Sequence, residues 1–166
     1  MSVDAHLDLT KGNIKGESQE KGFENQINLL HWNWGMTNTG SMSHGGGGGA
    51  GKVDMQDFHF EMVTCTASPE LQLNCATGQH ISEALLTCRK AGQKGGQQKY
   101  LTIKFSELLI SSFQIPGRVD AKTGLLVEQI TFNFAKVEGE YFKQDEKGVT
   151  SSAGKWGYDL KKNAKV

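Results

Sequence analysis

Gln129-Ile130-Thr131-Phe132-Asn133-Phe134 alternates polar and apolar side chains without a break, inside a longer extended run from Leu126 to Phe142. A period of two is that of a strand with one face buried, so Ile130, Phe132 and Phe134 are predicted to point one way and Gln129, Thr131 and Asn133 the other. The same pattern recurs outward in both directions. Leu101, Ile103 and Phe105 alternate with Tyr100, Thr102 and Lys104, and Leu108 to Ile115 reads as a further strand. Ala84, Leu86 and Cys88 alternate with Glu83, Leu85, Thr87 and Arg89, as Phe58, Phe60 and Met62 do with Asp57, His59 and Glu61. Val3, Ala5, Leu7 and Leu9 open the chain in the same way, and Trp156, Tyr158 and Leu160 close it. Between Phe23 and Met36 the apolar phase switches at Leu29-Leu30, which predicts a bulge or a strand covered on both faces. One helix is expected, Pro69 to Thr77, with Ser68 as cap, Glu70 in the first turn and Gly78 at the end. The predicted fold is therefore mainly β: an antiparallel β-barrel of about eight strands with one short flanking helix at about 69–77. Closure removes the exposed strand edges that an open sheet would leave. Lys11 to Lys21 reads as a polar connection, and Thr37 to Gly51 as an extended Gly-rich loop within a single domain spanning 1–166.

Composition narrows the function. The chain has 166 residues, enough for one domain, and balances 18 Lys+Arg against 18 Asp+Glu. Zero net charge argues against a general nucleic-acid binder. Glycine at 21 with only 2 prolines fits strands joined by tight turns. A mean hydropathy of −0.46, with no apolar run of membrane-spanning length, argues against a transmembrane helix. The opening Met1-Ser2-Val3-Asp4-Ala5-His6 predicts no signal peptide of the ordinary kind. Cys65, Cys75 and Cys88, an odd set, form neither a disulfide framework nor the C-x2-C pairs of a zinc site, and are read as small, partly buried side chains in a reducing cytoplasm. Spacing alone leaves a Cys65–Cys75 bridge after export open.

Several motifs resemble chemistry and then fail the test of context. Gly46 to Lys52 satisfies the G-x4-G-K part of a phosphate loop, but Val53 stands where the magnesium-holding hydroxyl belongs. A strand is expected to follow, rather than the helix whose N-terminus supports phosphates. His6, His31, His44, His59 and His80 lack metal-ligand spacing, and Ser111-Ser112 and Ser151-Ser152 lack a nucleophile elbow. Glu17, Glu83, Glu107 and Glu128 are read as solvated charge by default. Trp32 and Trp34 share one strand face; a buried or interface anchor is the preferred reading over a stacking platform for bases or sugars. No catalytic residue, cofactor or metal is expected.

Lys15-Gly16-Glu17-Ser18, Trp32-Asn33-Trp34-Gly35-Met36 and Gly40-Ser41-Met42 leading into Gly45 to Val53 resemble the haemolysin-coregulated protein (Hcp) family. Ser68-Pro69, Arg89-Lys90-Ala91-Gly92, Ile110-Ser111-Ser112, Asn133-Phe134-Ala135-Lys136 and Gly157-Tyr158 follow in the same order. The resemblance implies a tube subunit of the bacterial type VI secretion system, a non-enzymatic structural protein. It implies a homohexamer stacked into rings, with a trimeric spike protein, a contractile sheath and effector proteins as partners. It also implies a chain that is cytoplasmic before assembly and then exported without a signal peptide. Two site expectations follow. Ser41, Met42 and Gly45, Gly46, Gly47, Gly48 and Gly49 are expected to contact an adjacent subunit or ring, because five consecutive glycines let backbone approach a neighbour closely. Asn33, with His31, Thr87 and Arg89, is expected to line the lumen where effectors sit; the Gln129–Asn133 face is the poorest candidate. A monomeric β-barrel binding module for a small ligand or single-stranded nucleic acid is the alternative, and an enzyme with a dispersed site is a further one.

Overall fold

The structure, a computed structural model, describes residues 4–40, 51–92 and 96–166. Its frame is a pair of long antiparallel strands, β8 (Gln97–Gln114) and β9 (Val127–Gln144), paired from Leu101↔Tyr141 to Gln114↔Gln129. The alternation that predicted β9 is present: Ile130 and Phe132 are fully buried and Phe134 nearly so, while Asn133 is exposed. β7 (His80–Ala91) pairs with the other edge of β8, and β1 (Ala5–Asp8) pairs with β7. β2 (Ile27–Asn28) pairs with β1. On the far side, β6 (Phe58–Val63) pairs with β9, and β3 (His31–Asn33) pairs with β6.

One segment closes the barrel. Leu29 N donates to Ala5 O at 3.0 Å and Leu30 N donates to Glu61 O at 2.9 Å. Residues 27–33 are thus bonded to β1 on one side and β6 on the other, which brings the sheet round on itself. The phase switch read at Leu29-Leu30 is a bulge one residue later: Leu30 bonds Glu61 while His31 is the register partner of Glu61, and both side chains are exposed. Within the barrel Phe58, Phe105 and Phe132 form an aromatic centre with ring centroids 5.0–5.2 Å apart.

β10 (Thr150–Asp159) takes over the edge of β9 where β6 leaves it, pairing from Thr150↔Gln144 to Asp159↔Lys136, and β11 (Ala164–Lys165) caps its end. Gly139 of β9 is required there, because a Cβ would stand 2.2 Å from Trp156 Nε1. Trp156 in turn stacks on Trp34 with centroids 5.9 Å apart.

Three expectations need correction. The helix α1 spans Ala67–Thr77, starting two residues earlier than read, and Ser68 lies in its first turn rather than capping it. The Ser68 hydroxyl accepts from Cys65 N at 2.9 Å and donates to Glu128 Oε2 at 2.7 Å. Gly78 does end the helix, with φ at 67°. The second correction concerns the loop: Thr37 and Asn38 belong to β4 (Met36–Asn38), which pairs with β5 (Val53–Met55). Residues 41–50 of the loop, with the expected contact residues Ser41, Met42 and Gly45 to Gly49, lie outside the described residues, as do Ser2 and Val3 of the first strand. Third, Glu128 is not a solvated charge: it is buried at 2% exposure and accepts from both Ser68 and Thr64.

Candidate functional site

Register aligns side chains across four strands. His31, Glu61, Gln129 and Gln114 form one transverse row over β3, β6, β9 and β8. Asn33, His59, Thr131 and Ser112 form a second row over the same strands. The row between them, Trp32, Phe60, Ile130 and Phe113, is apolar and packs inward. Because side chains alternate across a sheet, this pattern builds a polar outer wall on an apolar barrel interior. The wall is knitted together. Gln129 Nε2 donates to Glu61 Oε1 at 2.8 Å, Arg118 Nη2 donates to Glu61 Oε2 at 3.1 Å, and His59 Nδ1 lies 3.2 Å from Thr131 Oγ1. Burial pushes the Glu61 carboxyl up, but the hydrogen bonds from Gln129 and Arg118 and the charge of Arg118 outweigh it, and the net shift is downward.

The four lumen candidates divide. His31 and Asn33 stand exposed on this wall, beside the Gln129–Asn133 face ranked last from sequence. Thr87 and Arg89 lie elsewhere, on the outer face of β7, where Glu20 and Phe23 of a strap formed by residues 15–26 sit on Arg89 and on His6 beside Thr87. Thr87 is buried at 6% exposure opposite His6 of β1. Arg89 Nη2 meets Asp4 Oδ1 at 3.0 Å and Glu20 Oε2 at 2.7 Å, with its guanidinium 4.4 Å above the Phe23 ring. Phe23 also packs on His6, with centroids 4.6 Å apart. Periodicity showed which residues leave the core; it carried no signal that part of the outer face is covered again.

Beside the strap lies an open groove of about 1150 Å³, lined in part by Leu30, Val63, Cys65, Tyr100 and Leu125. Asp4, His6 and Glu20 edge it and, among the described residues, are the one group near enough to hold a metal ion. Their arrangement is unsuited to a cation. Asp4 stands 3.7 Å from His6 Nδ1 and Glu20 stands 3.4 Å from Nε2, so the carboxylates flank opposite ring nitrogens. Arg89 already bridges the same oxygens. This is an ion-pair cluster.

The remaining sequence motifs take structural roles. Lys52 is exposed and leads into β5, a strand, so no helix N-terminus follows the glycines to cradle phosphate. Trp32 stacks on Phe58 at 5.9 Å, and Trp34 packs edge-on against Phe105 at 5.9 Å, so both indoles serve the core as anchors. Glu83 pairs with Lys11 at 2.8 Å. Cys65, Cys75 and Cys88 are free thiols, and burial pushes that of Cys88 up to about 11, which makes it inert.

Among the described residues the barrel, its flanking helix and its polar outer wall show no catalytic arrangement by which to recognise the chain, so comparison with known proteins decides its kinship. The family described as "Type VI secretion system effector, Hcp" matches residues 6–141. The chain belongs to the Hcp family. It is 39% identical over 167 residues to Protein hcp1 of Pseudomonas aeruginosa, with both chains covered completely. Its fold is similar to that of Hcp1 from Salmonella typhimurium, with a TM-score of 0.77, 31% identity and 100% of each chain covered. A solved type six secretion system protein matches with a TM-score of 0.86 at 26% identity, over 99% of this chain and 100% of that one. A type VI secretion system effector from Yersinia pestis matches with a TM-score of 0.70 at 29% identity, over 94% and 99%. Hcp proteins are structural, non-enzymatic tube proteins of type VI secretion, and membership implies hexameric tube assembly. Among the described residues, no helix is long and apolar enough to cross a membrane.

Proposed function

We propose that six copies of this Hcp chain form a ring, that the rings stack, and that the polar wall of β3, β6, β9 and β8 faces the channel through which effector proteins are carried. The observation that supports this is the pair of aligned polar rows backed by an apolar one. A water-filled channel is best lined by polar side chains, and the wall offers His31, Asn33, His59, Gln129 and Thr131 as hydrogen-bonding groups of both kinds. Thr87 and Arg89, which pair with Thr102 and Lys99 at the other end of β8, are not part of this surface. The trimeric spike protein and the contractile sheath are proposed partners at the tube's end and exterior. Export is proposed to proceed through the type VI machinery without a signal peptide.

The test is at Asn33. Asn33→Arg changes volume and charge on the wall, so rings should form as before while effector retention falls. Asn33→Cys labelled with a large maleimide in assembled rings should block cargo without blocking assembly. Full labelling with unimpaired cargo binding would place the wall elsewhere in the tube.

A further inference from the structure

His6 is 3% exposed, yet neither ring nitrogen makes a hydrogen bond. A buried imidazole whose nearest acceptors stand at 3.4 and 3.7 Å, beyond good hydrogen-bond distance, is costly, and the charged groups that face it form one latch. Asp4 comes from β1 itself, Glu20 and Phe23 from the strap, and Arg89 from β7. Asn28 approaches from β2, and Thr87 is its cross-strand partner on β7. Two carboxylates and one guanidinium leave this cluster with one negative charge while the imidazole is neutral.

The strap is held mainly to itself. Gly16 N donates to Asn25 O at 2.8 Å, Ser18 N to Gln26 O at 3.1 Å and Asn25 N to Ser18 O at 2.9 Å. Among the described residues no backbone hydrogen bond joins residues 15–26 to β1 or β7. Its grip on that face is Glu20 on Arg89, and Phe23 packed against both His6 and Arg89.

We propose that the strap is a pH-sensitive cover over the outer face of β1 and β7, latched by Glu20 and Phe23 and released when His6 takes up a proton. With the strap closed, burial and the Arg89 charge oppose a proton on His6 more than Glu20 and Asp4 favour it, so the imidazole titrates below its ordinary value. The open form, where water reaches the ring, binds the proton better. The closed form is therefore fully favoured above about pH 6.5 and loses ground as pH falls below that. The hydrogen bond from Arg89 holds the Glu20 carboxyl low as well, which weakens the latch in the same direction at more acid pH. Release would bare His6 and Thr87, free Arg89 and widen the groove beside Leu30 and Tyr100. The device is independent of what the polar wall binds.

Hydrogen exchange of the full chain, read by mass spectrometry and corrected for the intrinsic pH dependence of exchange, tests it. Between about pH 7.5 and pH 5.5, protection of residues 15–26 should fall by up to about ten-fold per unit below the His6 titration, while β8 and β9 stay unchanged. His6→Gln, which cannot titrate in this range, should flatten that dependence. Glu20→Gln, which removes the latch charge on the exposed side, should lower strap protection already at neutral pH and serves if His6→Gln does not fold. Strap protection that ignores pH in the unsubstituted chain overturns the proposal. So does an undiminished pH dependence in His6→Gln, or Glu20→Gln protection equal to that of the parent.

Discussion

Glu128 shows what one side chain contributes when its partners come from distant parts of the chain. Its carboxylate accepts from Thr64 Oγ1 at 3.0 Å and from Ser68 Oγ at 2.7 Å, and so ties the start of β9 to the first turn of α1. Glu128→Ala leaves the buried Ser68 hydroxyl without its acceptor, while Thr64 keeps the Leu126 carbonyl as an alternative at 3.2 Å. The expected cost is about 1–3 kcal/mol, seen as a lower urea midpoint with unchanged slope. Glu128→Gln keeps one acceptor oxygen and should recover part of that loss. None of this was legible locally. Ser68 before Pro69 reads as a cap because capping is a short-range pattern, whereas its actual acceptor lies sixty residues away. The apolar residues fared better: Phe58, Phe60, Phe105 and Phe132, placed inward by alternation alone, are all fully buried.

Elements were legible where they touch the core and less so where they touch each other. α1 presents Ala67 and Leu71 as fully buried side chains and packs on β8. Leu71→Ala should open a cavity under the helix and cost about 2–4 kcal/mol by denaturant unfolding, while the barrel strands persist. The strap is the opposite case. Its polar sequence reads as a connection, and a connection is what the backbone makes of it; only the folded structure shows that Glu20 and Phe23 sit on β1 and β7. For the same reason Thr87 and Arg89 read as an open polar face. Two-residue periodicity distinguishes core from non-core, and has no way to tell solvent from a second covering layer. That the Gln129–Asn133 face lies in register with His31 and Asn33 is a fact about pairing between strands, which no single stretch of sequence records.

For the whole molecule, ring formation gives the expected mass in solution: light scattering should report close to six times 18.1 kDa. Deleting Gly45 to Gly49 should leave the barrel folded and weaken ring formation or stacking, and a variant that assembles as well as the parent would show that the segment has another use. The overall barrel, the helix α1 and the kinship were readable from sequence; the way the barrel closes was readable only as a disturbance near Leu29. One consequence of the pairing scheme is mechanical. β9 is bonded to β6 over residues 127–132 and to β10 over 136–144 along one edge, and to β8 along the other. A pull along β10 is thus delivered to β9 in shear, across many hydrogen bonds that must yield together. β9 passes that load straight into the aromatic centre around Phe132, so β10, β9 and the barrel bear tension as one beam.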